Sequence, residues 1–137
     1  MIGGMAVGLH GFVRATKDID LLLPVNAHNN RLLMTALEQL VGSSSPALQQ
    51  LRLDWMDKGH STALEDRLAI DLLYVAADQS FEQLQQHIIR VSVGDAQISV
   101  LNVDGLIKTK LTSRDSDTAD RIKLERLRNA LQKKPNL

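Results

Sequence analysis

The run RLAIDLLYV, residues 67–75, constrains this chain more than any other stretch. It is apolar at odd and even positions alike, whereas a strand buried on one face only would alternate. Arg67–Val75 is therefore expected at the centre of a sheet, covered on both sides. One residue interrupts the run. An unpaired carboxylate in such a place is costly, so Asp71 needs a partner; Arg67 or Arg14 would supply a structural one.

The remaining segments supply strands and cover. Asp18–Leu23 reads as a strand stopped by Pro24, which cannot donate to a ladder. Ala27–Val41 reads as a helix, with Leu32, Leu33, Ala36, Leu37, Leu40 and Val41 at the spacing of one face and Asn26 or Asn29 as its cap. Leu51–Met56 reads as a second strand, joined to Arg67–Val75 by a polar loop containing Gly59. Asp78 or Ser80 opens a helix with Phe81, Leu84 and Ile88 on one face. RVSVGDAQISVL (90–101) reads as a hairpin around Gly94-Asp95. Asp104 is expected to cap a helix to about Thr112, and Ser116 to start a last helix with Ala119, Ile122, Leu127 and Leu131 inward. Helices interleaved with a mixed sheet give an α/β or α+β fold, and the length suits one domain over residues 1–137.

Composition narrows the chemistry. The chain has no cysteine, which removes disulfides, thiolate zinc sites and cysteine nucleophiles, and suits a reducing cytoplasm. No apolar run reaches transmembrane length, so no membrane partner is expected. Its four aromatic residues, Phe12, Trp55, Tyr74 and Phe81, are too few for a platform that stacks single-stranded nucleic acid. Basic and acidic residues cancel overall, but residues 1–103 carry seven Lys/Arg against eleven Asp/Glu, and residues 104–137 carry nine against five. An acidic body with a basic final segment can bring metal ions and phosphates together; solvated helix faces explain the same counts.

Alternation along a strand puts Asp18 and Asp20 on one face and Ile19, Leu21 and Leu23 on the other. Two carboxylates so close raise each other's pKa unless a positive charge sits between them. With oxygen ligands only, that charge is expected to be Mg²⁺ or Mn²⁺. If the Arg67–Val75 strand lies beside this one, Asp71 joins Asp18 and Asp20 as a third ligand. Gly3-Gly4, ahead of a short helix over Ala6–Phe12, would let a phosphate approach the backbone closely; a tight strand-to-helix turn is the plainer role.

Taken together, IGGMAVGLHGFVRATKDIDLLL (2–23), AIDLLYV (69–75) and VDGLIKTKLTSRDSDTADRIKL (103–124) resemble the signature of the polymerase-beta-like nucleotidyltransferase superfamily. They are most similar to the minimal and AbiEii-like nucleotidyltransferases of toxin–antitoxin pairs. The resemblance implies a nucleotidyltransferase-like mixed sheet flanked by helices. It implies transfer of a nucleoside monophosphate from a nucleoside triphosphate to a hydroxyl, with release of pyrophosphate. Asp18, Asp20 and Asp71 would be the catalytic carboxylates and bind two metal ions that stabilise the attacking and leaving oxygens. Gly3 and Gly4 would hold nucleotide phosphates, with Arg14, Thr16, Lys108 and Lys110 as secondary contacts. Lys108 and Lys110 do not share a helix face, whereas Lys110 and Arg114 do. Asp117 and Asp120 are expected in structural ion pairs with Arg114 or Arg121, and His10 in a structural role. The acceptor is an RNA, a protein or a small molecule.

Relatives carry a helix and most of a strand ahead of the glycines, where this chain has Met1-Ile2. The resemblance thus implies a truncated N-terminal element, compensated by an upstream start, a longer parent chain, a partner protein or a homodimer. Two other readings share the same residues: a non-catalytic binding or regulatory module that kept the fold, and a metal-dependent phosphoesterase with water as nucleophile.

Overall fold

A computed structural model describes residues 1–12 and 15–133 and is a mixed α+β arrangement, with small sheets flanked by helices. The main sheet has three strands: β1 (Asp18–Leu22), β2 (Thr62–Glu65) and β3 (Ala69–Leu73), in the order β1-β3-β2. The doubly apolar strand is central, as its composition demands. β1 runs parallel to it, with Asp20 opposite Asp71. β2 runs antiparallel to it. That strand falls inside the segment expected to be a polar loop; at four residues it is too short to show a clear alternation, and only Leu64 is buried.

Each face of the sheet has its own core. On one, Leu37, Leu48 and Met56 pack against Leu64, Ile70, Leu72 and Tyr74. On the other, Ala6, Val7, Leu22, Leu106, Ile107 and Leu124 come together with Val100 and Leu101. Met56, Leu64, Leu72, Leu106 and Leu124 are fully buried, and burying a side chain of this size stabilises by about 1.5–3 kcal/mol.

The helices follow local chemistry. α1 (Gly3–Leu9) includes the glycine pair instead of following it. α2 (Ala27–Val41) starts where the Asn26 side chain accepts the Asn29 N–H at 2.8 Å. Its inward face is turned from the one expected. Asn30 is buried with Leu37, whereas Leu32 and Leu40 are exposed. Asn30 is satisfied there: its Nδ2 donates to Asp57 at 2.9 Å and its Oδ1 accepts the Tyr74 hydroxyl at 2.7 Å.

Residues 51–56 are not a strand. A short helix, α3 (Pro46–Gln50), ends just before this segment, and a second, α4 (Leu53–Met56), occupies most of it. The apparent alternation of Leu51, Leu53 and Trp55 misleads, because the side chains that reach the core are Leu48, Leu51 and Met56, while Trp55 is exposed. Val75–Ala76 (β4) and Gln79–Ser80 (β5) form a small ribbon around Ala77 and Asp78, both at positive φ. Ser80 then opens α5 (Phe81–Leu84) through a capping box with Gln83. The helix tightens to a 3₁₀ turn at Gln85–His87, and Ile88 belongs to the next strand. The hairpin forms as read, from β6 (Ile88–Val93) and β7 (Ala96–Leu101).

α6 (Val103–Thr109) is capped by Asn102, whose side chain accepts the Gly105 N–H at 2.9 Å, and not by Asp104. α7 (Asp115–Gln132) overturns its expected orientation. Its buried residues are Asp117, Asp120 and Leu124, while Ala119, Ile122 and Leu131 face outward. Among the described residues no helix is long and apolar enough to cross a membrane.

Candidate functional site

Parallel pairing of β1 and β3 sets Asp20 and Asp71 side by side, with Asp18 two residues back on the same face. Ile70 and Leu72 are buried against the opposite core, so Asp71 points with Asp20 toward the face that carries α1, α6 and α7. All three aspartates line one cleft of ≈ 400 Å³. Arg67 does not partner Asp71: it turns to Asp66 and donates to the Leu40 carbonyl.

The glycines act by contact. The Ile2 N–H donates to the Asp20 carbonyl at 2.9 Å, which brings the start of α1 against β1. Gly3 has φ +72°, and a Cβ there would sit 1.9 Å from Asp20 Oδ2. Only glycine leaves the Asp20 carboxyl its place. Gly4 is buried and also borders the cleft. Thr16 lines it too, its hydroxyl donating to the Asp18 carbonyl at 3.2 Å just before β1.

The far wall is built by α6, α7 and the turn between them. Lys110, 5% exposed, donates to Asp117 at 3.1 Å and lies 3.0 Å from Asp120. Asp117 also accepts from the Thr112 hydroxyl and from Arg114 Nε, the latter at 2.8 Å. Burial alone would raise the Asp117 carboxyl, but hydrogen bonds from Arg114, Thr112 and Lys110 outweigh it and hold the pKa down to about 2. Asp20 moves the other way. Burial pushes its carboxyl up from the ordinary value, the Asp71 charge adds to this, Lys110 opposes it, and Asp18 and a hydrogen bond with Asp71 raise it further. The cleft therefore has a wall of repelling carboxylates facing a wall where charge is already balanced.

Gly3, Gly4, Thr16, Asp18, Asp20, Asp71 and Lys110, the candidates taken from the sequence, all line this one cleft. Lys108 does not; it sits on another side of α6. Arg14 lies outside the described residues. Arg114, noted in the sequence only as a helix-face neighbour of Lys110, lines the cleft with Thr112, and Val75, Ala76 and Ala77 form an apolar border. Asp117 pairs with Arg114 as expected, Asp120 pairs with Lys110, and Arg121 turns to Glu125. His10 is structural, its Nε2 2.8 Å from the Leu101 carbonyl.

A divalent cation is chemically suited to the donor set, which offers oxygen ligands only and places Asp20 where burial and Asp71 oppose its charge. Among the described residues, no group of three or more His, Cys, Asp or Glu side chains is already gathered to hold a metal ion, so an ion would have to draw the aspartates together. A larger groove of ≈ 520 Å³ between β1 and β7 is lined mainly by apolar side chains such as Leu21, Phe81 and Ile98, with Gln97 and Ser99 at one side. Comparison with protein-family models, with curated proteins and with solved structures gave no match.

Proposed function

We propose that the cleft binds a nucleoside triphosphate with Mg²⁺ or Mn²⁺ and transfers the nucleoside monophosphate to an acceptor hydroxyl. The observation that carries this reading is the register of β1 and β3, which aligns Asp20 with Asp71 and keeps Asp18 on their face. Asp18, Asp20 and Asp71 would hold the metal, whose charge would stabilise the oxygens around the reacting phosphorus. Asp71, beside Asp20, would orient the acceptor hydroxyl. The hydroxyl oxygen would attack the α-phosphorus as its proton passes to the Asp71 carboxylate, the bond from that phosphorus to the bridging oxygen would break, and pyrophosphate would leave. Gly3 keeps the backbone of α1 close to Asp20 without displacing its carboxyl. The likeness of three sequence segments to nucleotidyltransferases of toxin–antitoxin pairs supports the same chemistry, with an RNA, a protein or a small molecule as acceptor.

Thermal unfolding with each nucleoside triphosphate, with Mg²⁺ or with excess EDTA, tests the proposal. A ligand at about 100 times its Kd stabilises the native state by roughly 2.7 kcal/mol. The wild type is expected to shift with at least one triphosphate, to shift much less in EDTA, and to lose the Mg²⁺-dependent part of the shift in Asp20→Ala. A folded wild type that responds to no triphosphate would replace this reading with a non-catalytic module of the same fold. Release of inorganic phosphate without any nucleotide-labelled product would replace it with a phosphoesterase.

A further inference from the structure

Two cations, Lys110 and Arg114, line the cleft opposite the aspartates, and their surroundings differ sharply. The Lys110 side chain is 6% exposed and bound to two carboxylates. The Arg114 side chain is 73% exposed, yet it is not loose. Its Nε donates to Asp117 at 2.8 Å, and its backbone N–H donates to the Thr112 hydroxyl at 3.3 Å. Asp117 is itself 1% exposed and fixed by Thr112 and Lys110. The guanidinium is thus pinned through Nε by a buried carboxylate, while most of the side chain stays exposed at the lining of the cleft.

We propose that Arg114 is a phosphate-binding residue of this cleft, presenting its terminal N–H groups to the β- and γ-phosphates of the bound triphosphate. The assignment rests on the nucleotidyltransferase reading for the identity of the anion, but not for its chemistry. A planar guanidinium matches two phosphate oxygens at once, and pinning its Nε removes much of the rotamer freedom it would otherwise lose on binding. An anion entering a cleft with three aspartates needs an exposed cation, and Lys110 is enclosed. Asp117 raises the pKa of the Arg114 guanidinium from its ordinary value, and the charge of Asp20 across the cleft adds a smaller contribution. Asp117 is then a positioning residue: it acts on the ligand through Arg114.

Calorimetric titration with sodium tripolyphosphate in EDTA separates this anion site from any metal. The wild type is compared with Arg114→Ala, Arg114→Gln and Arg114→Lys, and with Lys123→Ala as a control for the loss of one exposed charge, on the helix that Arg114 precedes. Loss of charge-assisted hydrogen bonds is expected to weaken tripolyphosphate binding by roughly ten- to a hundredfold in the Ala and Gln variants. Arg114→Lys is expected to fall between, because it keeps the charge and loses the fork, and Lys123→Ala to bind as the wild type does. Equal binding by wild type and Arg114→Ala, or no binding by the wild type, overturns the assignment. A parallel titration with each Mg²⁺–nucleoside triphosphate keeps the two ideas apart. Binding there that ignores Arg114 leaves the nucleotide reading standing without this residue. Tripolyphosphate binding through Arg114 with no response to any nucleotide upholds the anion site and removes the nucleotide reading.

Discussion

Gly3 and Asp20 are neighbours in a sense the sequence does not display. The glycine pair suggests a phosphate-cradling turn, but in the fold Gly3 is the place where α1 comes up against a carboxyl on β1. A methyl group there meets Asp20 Oδ2 and a positive φ together. Gly3→Ala is therefore expected to lower stability by about 1 kcal/mol or more and to weaken any Mg²⁺-dependent nucleotide shift by displacing Asp20; urea titration and the thermal assay measure the two effects separately. Asp20 supplies a second expectation. Its folded pKa is raised, so the native state holds the proton more tightly than the unfolded chain does. Stability then falls as pH rises through the raised value, and the penalty is complete above it. Asp20→Asn removes that penalty, so the metal-free variant is expected to gain stability over the wild type at pH 7 and to lose the advantage near pH 4. Urea midpoints at the two pH values check it, and an unchanged difference would show that the Asp20 charge is not opposed in the fold.

At the scale of elements, the outcome turned on whether apolar residues alone decide which side faces in. β3 was legible because its run is apolar on both faces and only a central position buries both. β1 and the β6–β7 hairpin were legible from alternation and from Gly94-Asp95. α7 was not, because two of its inward residues are Asp117 and Asp120, which a hydrophobic pattern assigns to solvent. Their reason for facing inward is Lys110, on another element, and pairings between elements leave no period in the sequence. α4 failed for a related reason: Leu53 and Trp55 imitate strand alternation, but Leu51 and Met56 are the side chains that fill space. The candidate site follows the same division. Asp18, Asp20 and Asp71 stand out as carboxylates in apolar strands, whereas the placement of Arg114 at the cleft comes from its contact with Asp117. Lys110→Met tests the ion cluster, since it leaves two buried carboxylates without their shared cation. Breaking a buried pair in this way costs about 3–5 kcal/mol, which should lower the melting temperature by on the order of 10 °C or more. A loss within the range of surface substitutions would mean that the cluster contributes little to holding α6 against α7.

For the whole molecule, the same cluster sets the response to acid. Asp117 has a folded pKa of about 2 against an ordinary value of 3.8, so the stability it provides is complete above the unfolded value and is lost as pH falls toward 2. The difference corresponds to about 2 kcal/mol. Wild-type stability is expected to fall between about pH 4 and pH 2 more steeply than that of Asp117→Asn, read from urea titrations across that range. The parallel pairing of β1 with β3 has a kinetic consequence. The β2–β3 and β6–β7 pairs join segments close in sequence, but Asp20 and Asp71 are about fifty residues apart and meet only after the intervening chain has closed into a loop. Such distant contacts form late, because their ordering cost precedes their reward. During synthesis or refolding, Asp71 stays apart from Asp18 and Asp20 until that closure is made, so a cation that engages all three would act as a latch on the finished topology, slowing its opening more than it speeds its assembly.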